Sequence, residues 1–477
     1  MLIFDISTLA RAGGQAVGVV RVVRELAIWA HAHRSDVAFV VYDTRIEAYC
    51  QIRPRWTKAL VDASAMVDMS TLPTRGAGKS RLRDRSSGLL RTLALWLQHP
   101  RRRAIMALER RRLTAGTPAA ARRAERLQSA LLSPRYRQAL TDSYGQRRDL
   151  LPYDMAVGAA VELTQNDILL FAGSDWGTTN VALIGEHKRR SGFKIAVLYY
   201  DIIPLLYPAF YFSSVVTAFR EFLHVMVPMA DLVIVTSERV ELDLKNYCKV
   251  SGLGVPKTRI VELGADPPAA EVASNGTLPG DLQPGRYALF VSTIEPRKGH
   301  RLLFSVWKRL LAEGVPQARG FKLVFVGRRG WLVDDLLAEL AADPCVGDSL
   351  LVLSGITDAA LAALYRGAAF CVYPSLYEGY GLPIVEGFRY AKAVLSSSGG
   401  ALRETVGDLS PCLDPQDEQA WYEALKHWIA DPAARIGYED AIRKRFRHPT
   451  WPQASEAFFR VIDEELRSHE THNEIGT

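Results

Sequence analysis

The sequence has few cysteines and no long hydrophobic run. Its five cysteines are scattered over 477 residues without a C-x-x-C pair, which disfavours a disulfide framework or a zinc site. No apolar run reaches 18 residues, so no transmembrane helix is predicted. The N-terminus also lacks the basic stretch and apolar core of a secretory signal. We therefore expect reduced thiols and a cytoplasmic location.

Length and charge divide the chain unevenly. A chain of 477 residues is too long for one core, so two domains are expected. The formal net charge is +7, but the segment Arg75–Arg148 alone carries +15 and the remainder −8. The basic character therefore belongs to one segment of the chain.

Apolar, β-branched runs alternate with segments of helical periodicity, which predicts parallel sheets covered by helices on both faces. A stretch rich in proline, glycine and small polar residues at 266–284 is typical of an interdomain linker. The predicted organisation is an N-terminal domain at 1–265, the linker at 266–284, a C-terminal domain at 285–448 and a final helical segment at 449–477. The predicted strands are Leu2–Ile6, Val37–Tyr42, Ile168–Ala172, Ile195–Tyr199, Leu232–Val235, Ile260–Leu263, Tyr287–Val291, Leu323–Val326, Leu350–Leu353, Phe370–Tyr373, Val394–Ser396 and Cys412–Leu413.

The basic segment lies in an insertion at 75–150. Around Trp96 an apolar helical face precedes the run Arg101–Arg103. A basic amphipathic helix with Trp is typical of a segment lying in a membrane interface, so 86–103 is a candidate contact with an anionic membrane. A helical hairpin that packs on the domain and exposes its arginines to water fits equally well. Nucleic acid is not expected as a partner, because no nucleic-acid-binding motif accompanies the charge.

The most informative stretch is Tyr373–Gly387, which reads Y-P-S-L-Y-E-G-Y-G-L-P-I-V-E-G. An apolar strand ends there and Pro383 suits a new helix, whose N-terminus offers free N–H groups to an anion. Glu378 is expected to project from the loop, with Glu386 in the first turn of the helix. Carboxylates repel phosphate but accept hydrogen bonds from sugar and ribose hydroxyls. The pattern therefore predicts a nucleotide-sugar pocket.

The spacing of Glu378 and Glu386 resembles the E-x7-E motif of retaining GT-B glycosyltransferases, most closely glycosyltransferase family 4. Three further strand-end segments resemble that family in the same order, at 290–299, 323–330 and 353–357. The resemblance implies an α/β GT-B fold, in which two Rossmann-like, doubly wound domains face an interdomain cleft. In that architecture the last helix, here Trp451–Leu466, crosses back to the first domain.

The resemblance also implies roles for individual residues. Glu378 would hold the hydroxyls of the donor sugar, Arg297 and Lys298 the diphosphate, and Glu386 the ribose. Asp201 matches a His-Asp pair that many members carry, but Tyr200 stands where His is usual. Further donor-binding positions are implied at Gly379, Tyr380, Gly381, Leu382, Ile356, Thr357, Gly327 and one of Arg328 and Arg329. In the N-terminal domain, which the resemblance implies would bind the acceptor, Gly13 and Gly14 resemble the first glycine loop, which approaches donor phosphate or acceptor.

The function implied is the transfer of a hexose without metal or cofactor. GDP-mannose is the first expectation for the donor, and dTDP- or GDP-rhamnose the second. The acceptor would be a lipid-linked or growing surface polysaccharide (O-antigen, capsule or exopolysaccharide), and the enzyme would sit peripherally on the inner face of the cytoplasmic membrane. The alternative is a catalytically silent GT-B scaffold, which Tyr200 in place of His keeps open.

Overall fold

A computed structural model describes residues 1–12, 18–62, 64–69, 100–132, 148–266 and 278–467. Contacts between Cα atoms divide the chain into two compact units. Unit 1 comprises Met1–Leu198, Glu221–Val233 and Val461–Thr477, and unit 2 comprises Tyr199–Arg220 and Ile234–Arg460. The candidate loop at Gly13 and Gly14, residues 86–99 of the predicted membrane helix and residues 267–277 of the predicted linker lie outside the described residues.

The strands form two large sheets and one small one. The first sheet has the order β10-β9-β8-β7-β1-β2-β3-β6, the second has the order β13-β12-β11-β14-β15-β16, and β4 pairs with β5. The strands are β1 (Leu2–Asp5), β2 (Val37–Asp43), β3 (Ala48–Ile52), β4 (Ala65–Val67), β5 (Asp149–Leu151), β6 (Val157–Ala160), β7 (Ile168–Phe171), β8 (Lys194–Tyr199), β9 (Leu232–Val235), β10 (Thr258–Ile260), β11 (Tyr287–Val291), β12 (Lys322–Val326), β13 (Leu350–Leu353), β14 (Phe370–Tyr373), β15 (Val394–Ser397) and β16 (Cys412–Leu413).

The helices of the described residues fall between these strands and after them. They are α1 (Ser7–Arg11), α2 (Val19–His33), α3 (Pro54–Val61), α4 (Pro100–Leu113), α5 (Pro118–Leu131), α6 (Tyr153–Ala156), α7 (Val181–Ser191), α8 (Ile203–Leu206), α9 (Ser213–Met229), α10 (Glu238–Val250), α11 (His300–Ala312), α12 (Asp334–Ala342), α13 (Asp358–Gly367), α14 (Leu382–Arg389), α15 (Leu402–Val406), α16 (Glu418–Ala430), α17 (Ile436–Arg445) and α18 (Trp451–Leu466). None of them combines the length and the apolar character needed to cross a bilayer, within the part of the chain described.

The second sheet follows the strand order of a dinucleotide-binding doubly wound domain. All of its strand pairs are parallel, and in chain order its six strands lie 3-2-1-4-5-6. Its strands are short apolar runs because helices cover both faces. Phe290, Phe325 and Phe370 are fully buried, and Trp307 of α11 packs with them in one hydrophobic core. The order reverses between β11 and β14, which is where ligands bind in such sheets.

The first sheet departs from the prediction at one edge. β1 pairs in parallel with β2 and β7, but β3 runs antiparallel to both β2 and β6. The sequence analysis missed β3 and β6. Gln51 interrupts the apolar pattern of β3, and β6 (V-G-A-A) has only glycine and alanine after its valine. Neither segment therefore has a strong strand signal. The strand expected at Ile260–Leu263 is also wrong in position, since β10 is Thr258–Ile260.

The described part of the basic insertion is a pair of helices, α4 and α5. Glu109 of α4 is fully buried and accepts hydrogen bonds from Gln128 Nε2 (2.7 Å), Arg112 Nη2 (2.7 Å) and the backbone N–H of Leu150 (3.1 Å). A buried carboxylate is tolerated when its oxygens are paired in this way. These contacts fix α4 against α5 and the start of β5, while Arg110 and Arg111 stay exposed.

Candidate active site

The predicted site residues of the second half converge on the point where the strand order reverses. Arg297 and Lys298 follow β11, Glu378 follows β14, and these two strands are parallel neighbours with Ala288 opposite Phe370. The carboxyl ends of adjacent parallel strands lie at the same edge of a sheet. The fold thus brings together two cations and a carboxylate that lie 80 residues apart in the chain.

The Glu378 carboxylate is paired with both cations. Lys298 Nζ donates to Glu378 Oε1 at 2.5 Å, and Arg297 Nη1 lies 2.8 Å from Oε2. Two hydroxyl groups also donate to Oε1, from Ser375 at 2.6 Å and Tyr373 at 3.2 Å. The side chains of Glu378, Arg297 and Lys298 are all about nine-tenths buried, with exposures of 9%, 11% and 11%. A buried ion pair with its lone pairs filled in this way has a rigid geometry.

Arg297 is also held by the backbone of the loop it contacts. Its Nη1 donates to the Tyr377 carbonyl at 2.8 Å, and its own carbonyl accepts from the N–H of Leu376 at 2.7 Å. Its Nη2 lies 3.7 Å from the buried carboxylate of Glu295. The guanidinium Nε has no hydrogen-bond partner among the described residues. This Nε is buried, so Arg297 carries one unsatisfied donor inside the loop.

The pKa values reflect this crowding of charge in a buried place. Burial opposes ionisation of Glu378, but Arg297 and Lys298 outweigh it and lower the pKa of Glu378 to about 2. Burial raises the pKa of Glu295, as it does that of Asp201. Burial, assisted by Arg297, lowers the pKa of Lys298. Glu378 is the acid whose charge the two cations stabilise.

Tyr200 and Asp201 follow β8 and reach the same loop. Asp201 Oδ1 accepts from the Ile203 N–H at 3.0 Å, and the Arg297 and Lys298 charges act on its carboxylate. The Tyr200 carbonyl accepts from Thr236 Oγ1 at 3.3 Å. The same hydroxyl lies 3.3 Å from the Gly379 carbonyl, to which Ser237 Oγ also donates at 2.9 Å. Both predicted residues thus lie beside Glu378.

Gly379 is required by this close approach. A Cβ atom at Gly379 would lie 2.0 Å from the Tyr200 carbonyl oxygen, inside any real contact distance. Two residues on, Gly381 has φ +108° and precedes α14, a conformation that other residues rarely adopt. The two glycines therefore let the loop pass against Tyr200 and turn into the helix.

Two of the other predicted donor residues have their side chains engaged within the protein. The Tyr380 hydroxyl donates to the Leu263 carbonyl (3.3 Å) and lies 3.2 Å from His448 Nε2. Glu386 is the fifth residue of α14, because the helix begins at Leu382, so its predicted place in the first turn is wrong. Its Oε2 accepts from the Tyr365 hydroxyl at 2.9 Å.

The loops after β12 and β13 hold the remaining predicted residues. The Arg328 side chain is exposed and its carbonyl accepts from the Ile294 N–H at 2.9 Å, whereas Arg329 is paired with Asp334. Gly327, just before Arg328, lies against the backbone of the loop after β11. Ile356 is half-buried and Thr357 caps α13, its hydroxyl accepting from the Ala360 N–H at 3.2 Å. Of the two arginines, Arg328 is the one without an ion pair in the described structure.

Sequence reasoning missed a second set of contacts, made by Tyr377. Its hydroxyl donates to Asp243 Oδ2 at 2.5 Å and accepts from Arg239 Nε at 2.7 Å. Arg239 Nη2 also pairs with Asp243 at 2.6 Å, so three side chains close a small network on α10. Tyr377 therefore links α10 to Arg297 through its own carbonyl. Its place beside Glu378 was visible in the sequence, but its partners lie some 134 residues away and carry no motif.

The described residues contain no group of three or more His, Cys, Asp or Glu side chains placed to hold a metal ion. The charges gathered at the sheet edge are instead two cations facing carboxylates. Such a group can bind an anionic ligand through the cations and hydroxyl groups through the carboxylate oxygens.

We expect Gly379→Ala to destabilise the protein. The new methyl group would meet the Tyr200 carbonyl at 2.0 Å, and neither backbone can yield cheaply, so a loss of about 1–3 kcal/mol is expected. Gly254→Ala is the matched control, because nothing lies within 4 Å of its Cβ position, and it should change stability by less than about 0.5 kcal/mol. Urea unfolding measures both, and equal stability of the two variants would contradict the close approach.

The depressed pKa of Glu378 predicts a pH-dependent contribution to stability. Because the pKa falls from 4.5 to about 2 on folding, the contribution is present above pH 4.5 and is lost as the pH falls towards 2. Wild type should therefore lose more of its free energy of unfolding than Glu378→Gln between about pH 5 and about pH 3. Parallel pH profiles of the two proteins would exclude the ion pair. Glu339→Gln, which removes an exposed pair with Arg301, is the control and should keep the wild-type pH profile.

The comparisons with known proteins agree with this geometry. Residues 282–445 match the family model "Glycosyl transferases group 1". The chain is 26% identical over 293 residues to the serotype-specific mannosyltransferase WbdA of Escherichia coli, which covers 57% of this chain and 34% of that protein. It is 37% identical over 134 residues to the O-antigen chain mannosyltransferase B of Escherichia coli, covering 28% of this chain and 34% of that protein. The chain thus spans about a third of the length of these relatives.

Among solved structures, the chain is similar to sucrose-phosphate synthase from Thermosynechococcus elongatus, with a TM-score of 0.54 and 18% identity over 98% of this chain and 99% of that one. At this identity the likeness concerns the fold alone. It confirms the predicted α/β GT-B class, and residues 282–445 are the part of the chain that matches the group 1 glycosyltransferase model.

Proposed function

We propose that the protein is a glycosyltransferase that moves a hexose from a nucleoside-diphosphate sugar to a saccharide acceptor. The observation that carries the proposal is the buried pair Arg297–Lys298, held on Glu378 where the strand order of the group 1 domain reverses. Two buried cations beside one strongly acidic carboxylate favour a ligand that brings negative charge of its own. A diphosphate is such a ligand.

In this proposal the donor takes over hydrogen bonds that the cluster makes within itself. The diphosphate takes over the hydrogen bond that Lys298 Nζ donates to Glu378. Glu378 then has oxygens free to accept from the hydroxyls of the donor sugar. Because burial keeps these groups in one geometry, the cations stabilise the negative charge that develops on the leaving diphosphate.

The family 4 resemblance supports a retaining reaction. The bond between the sugar C1 and the diphosphate oxygen breaks, and the acceptor oxygen bonds C1 on the same face. The acceptor proton passes to the leaving phosphate oxygen. Asp201 and Tyr200 lie beside Glu378. The reaction needs no separate base, because the leaving phosphate oxygen takes the acceptor proton.

The names of the relatives favour mannose as the sugar and a surface polysaccharide as the product. Two Escherichia coli relatives are named as mannosyltransferases, one of them for the O-antigen chain. We therefore propose GDP-mannose as the donor, with dTDP- or GDP-rhamnose as the second candidate. The proposed acceptor is a lipid-linked or growing chain of O-antigen, capsule or exopolysaccharide.

The proposal is tested by release of nucleoside diphosphate from a panel of nucleotide sugars. Lys298→Ala and Glu378→Ala should each lower kcat by about 10²–10³-fold, because each removes a charge used in the transition state. Arg301→Ala is the matched control, since this cation lies three residues from Lys298 but is 60% exposed on an ion pair with Glu339. It should keep wild-type turnover, and wild-type turnover in Lys298→Ala and Glu378→Ala would refute the site.

The alternative is a catalytically silent scaffold, and the same panel distinguishes it. Tyr200 in place of the usual His is the feature that favours it. A scaffold would bind nucleotide, as measured by thermal shift, and release no diphosphate from any donor. An enzyme would release it from at least one.

We further propose that the basic insertion contacts an anionic membrane surface. Arg122, Arg123 and Arg126 of α5 are exposed and make no ion pair with the described residues, and Leu127 beside them is 53% exposed. An exposed apolar side chain among unpaired arginines suits the interface of an anionic leaflet. The segment 86–103 is proposed to share this contact, which would place the protein peripherally on the inner face of the cytoplasmic membrane.

Vesicle sedimentation tests the membrane proposal. Replacing Arg122 and Arg123 by Gln should weaken binding to anionic vesicles by about 2 kcal/mol, since each basic residue near the surface contributes about 1 kcal/mol. Replacing Lys249 and Lys444, which are exposed elsewhere, by Gln is the charge-matched control. Equal sedimentation of both double variants would refute a specific role for α5.

A further inference from the structure

One short segment of unit 2 exposes aromatic side chains. Tyr207 is 38% exposed and Phe212 is 51% exposed, and among the described residues these are the two exposed large aromatics. Phe210 stacks on Tyr207, Tyr211 precedes Phe212 in the chain, and Trp331 contacts Tyr211. We call the five residues the aromatic patch. Solvent-exposed aromatic groups that cluster in this way mark a binding surface more often than isolated ones do.

A hydrogen bond and ring contacts hold residues of the aromatic patch in place. Trp331 Nε1 donates to the Phe210 carbonyl at 2.8 Å, and the Trp331 ring lies 5.6 Å from that of Tyr211. Tyr207 and Phe210 stack with centroids 5.9 Å apart and an angle of 21°. Leu332, next to Trp331, has φ +53° and is 48% exposed. A leucine in this strained region is uncommon, and such strain concentrates at functional sites.

The patch borders the proposed active site. The Tyr207 ring lies 5.0 Å from the ring of Tyr377, the residue before Glu378. Tyr211 lies beside Arg297: burial raises the pKa of Tyr211, and the guanidinium opposes that rise. On the other side, Gly330 packs against Ile294 and Glu295 just before Trp331. A molecule resting on the patch would therefore reach the group held by Arg297 and Glu378.

We propose that the aromatic patch is the subsite for the acceptor saccharide, an inference that rests on the proposed transferase function. One face of a pyranose ring presents C–H groups, which pack on aromatic rings, while its edge presents hydroxyls. Tyr207 and Tyr211 carry phenolic hydroxyls at their ring edges, so they offer both kinds of contact at once. The position of the patch brings an acceptor hydroxyl towards the donor sugar.

A hydrocarbon chain fits the surface less well than a saccharide. It would cover the tyrosine hydroxyls and the neighbouring Glu295–Arg297 charges without forming hydrogen bonds to them, which costs free energy. A saccharide replaces those bonds with its own hydroxyls. The lipid portion of a lipid-linked acceptor is therefore expected to lie away from the patch.

Calorimetric titration with soluble trisaccharides of mannose, rhamnose, galactose and glucose tests the proposal. Wild type should bind at least one member of this panel, and the double variant Tyr207→Ala/Phe212→Ala should bind it about tenfold or more weakly. Both side chains are exposed, so folding should be kept. Ile436→Ala, at a 54% exposed position on α17, is the control and should bind as wild type does.

The accompanying measurements separate this subsite from the donor site. Thermal shift with nucleotide sugars should be the same in the double variant and in wild type. Trisaccharide binding that is lost in the variant supports the subsite even where no donor releases diphosphate, in which case only the proposed function fails. Failure of wild type to bind any panel member, equal binding by the double variant, or competition by a sugar-free polyprenyl phosphate would overturn the proposal.

Discussion

The site depends on one buried carboxylate that holds two buried cations. Without Glu378, Arg297 and Lys298 would be two like charges out of water beside each other, a costly arrangement. With it, all three side chains have one geometry, which is fixed further by the hydroxyls of Ser375 and Tyr373. The carboxylate thus organises the cations before any ligand arrives, so a diphosphate would meet donors that are already oriented.

The loops around this cluster are set by how closely backbones approach. The parallel sheet delivers Arg297 and Glu378 to the same edge, and the tightest approach of a further loop occurs where a side chain is absent. At Gly379 the loop lies against the Tyr200 carbonyl with no space for a methyl group. The charge cluster and the glycines both depend on the close packing of the loops that follow β8, β11 and β14.

Much of this arrangement was readable from the sequence, for identifiable reasons. β11, β13 and β14 have the predicted bounds because uninterrupted apolar runs between turn residues leave little choice of register. β3 and β6 were missed because a polar residue and small residues weaken their pattern. The residues around Glu378 came from a motif, whereas the partners of Tyr377 on α10 arise only from the fold. Helix starts are also poorly marked, as the position of Glu386 illustrates.

Tyr377 couples the charge cluster to a neighbouring helix. Its hydroxyl accepts a hydrogen bond from Arg239 and donates one to Asp243, both on α10, and its carbonyl accepts one from Arg297. Tyr377 thus connects α10 to the Arg297 guanidinium through its hydroxyl and its carbonyl. A displacement of α10 would therefore act on the Arg297 guanidinium through the single residue Tyr377.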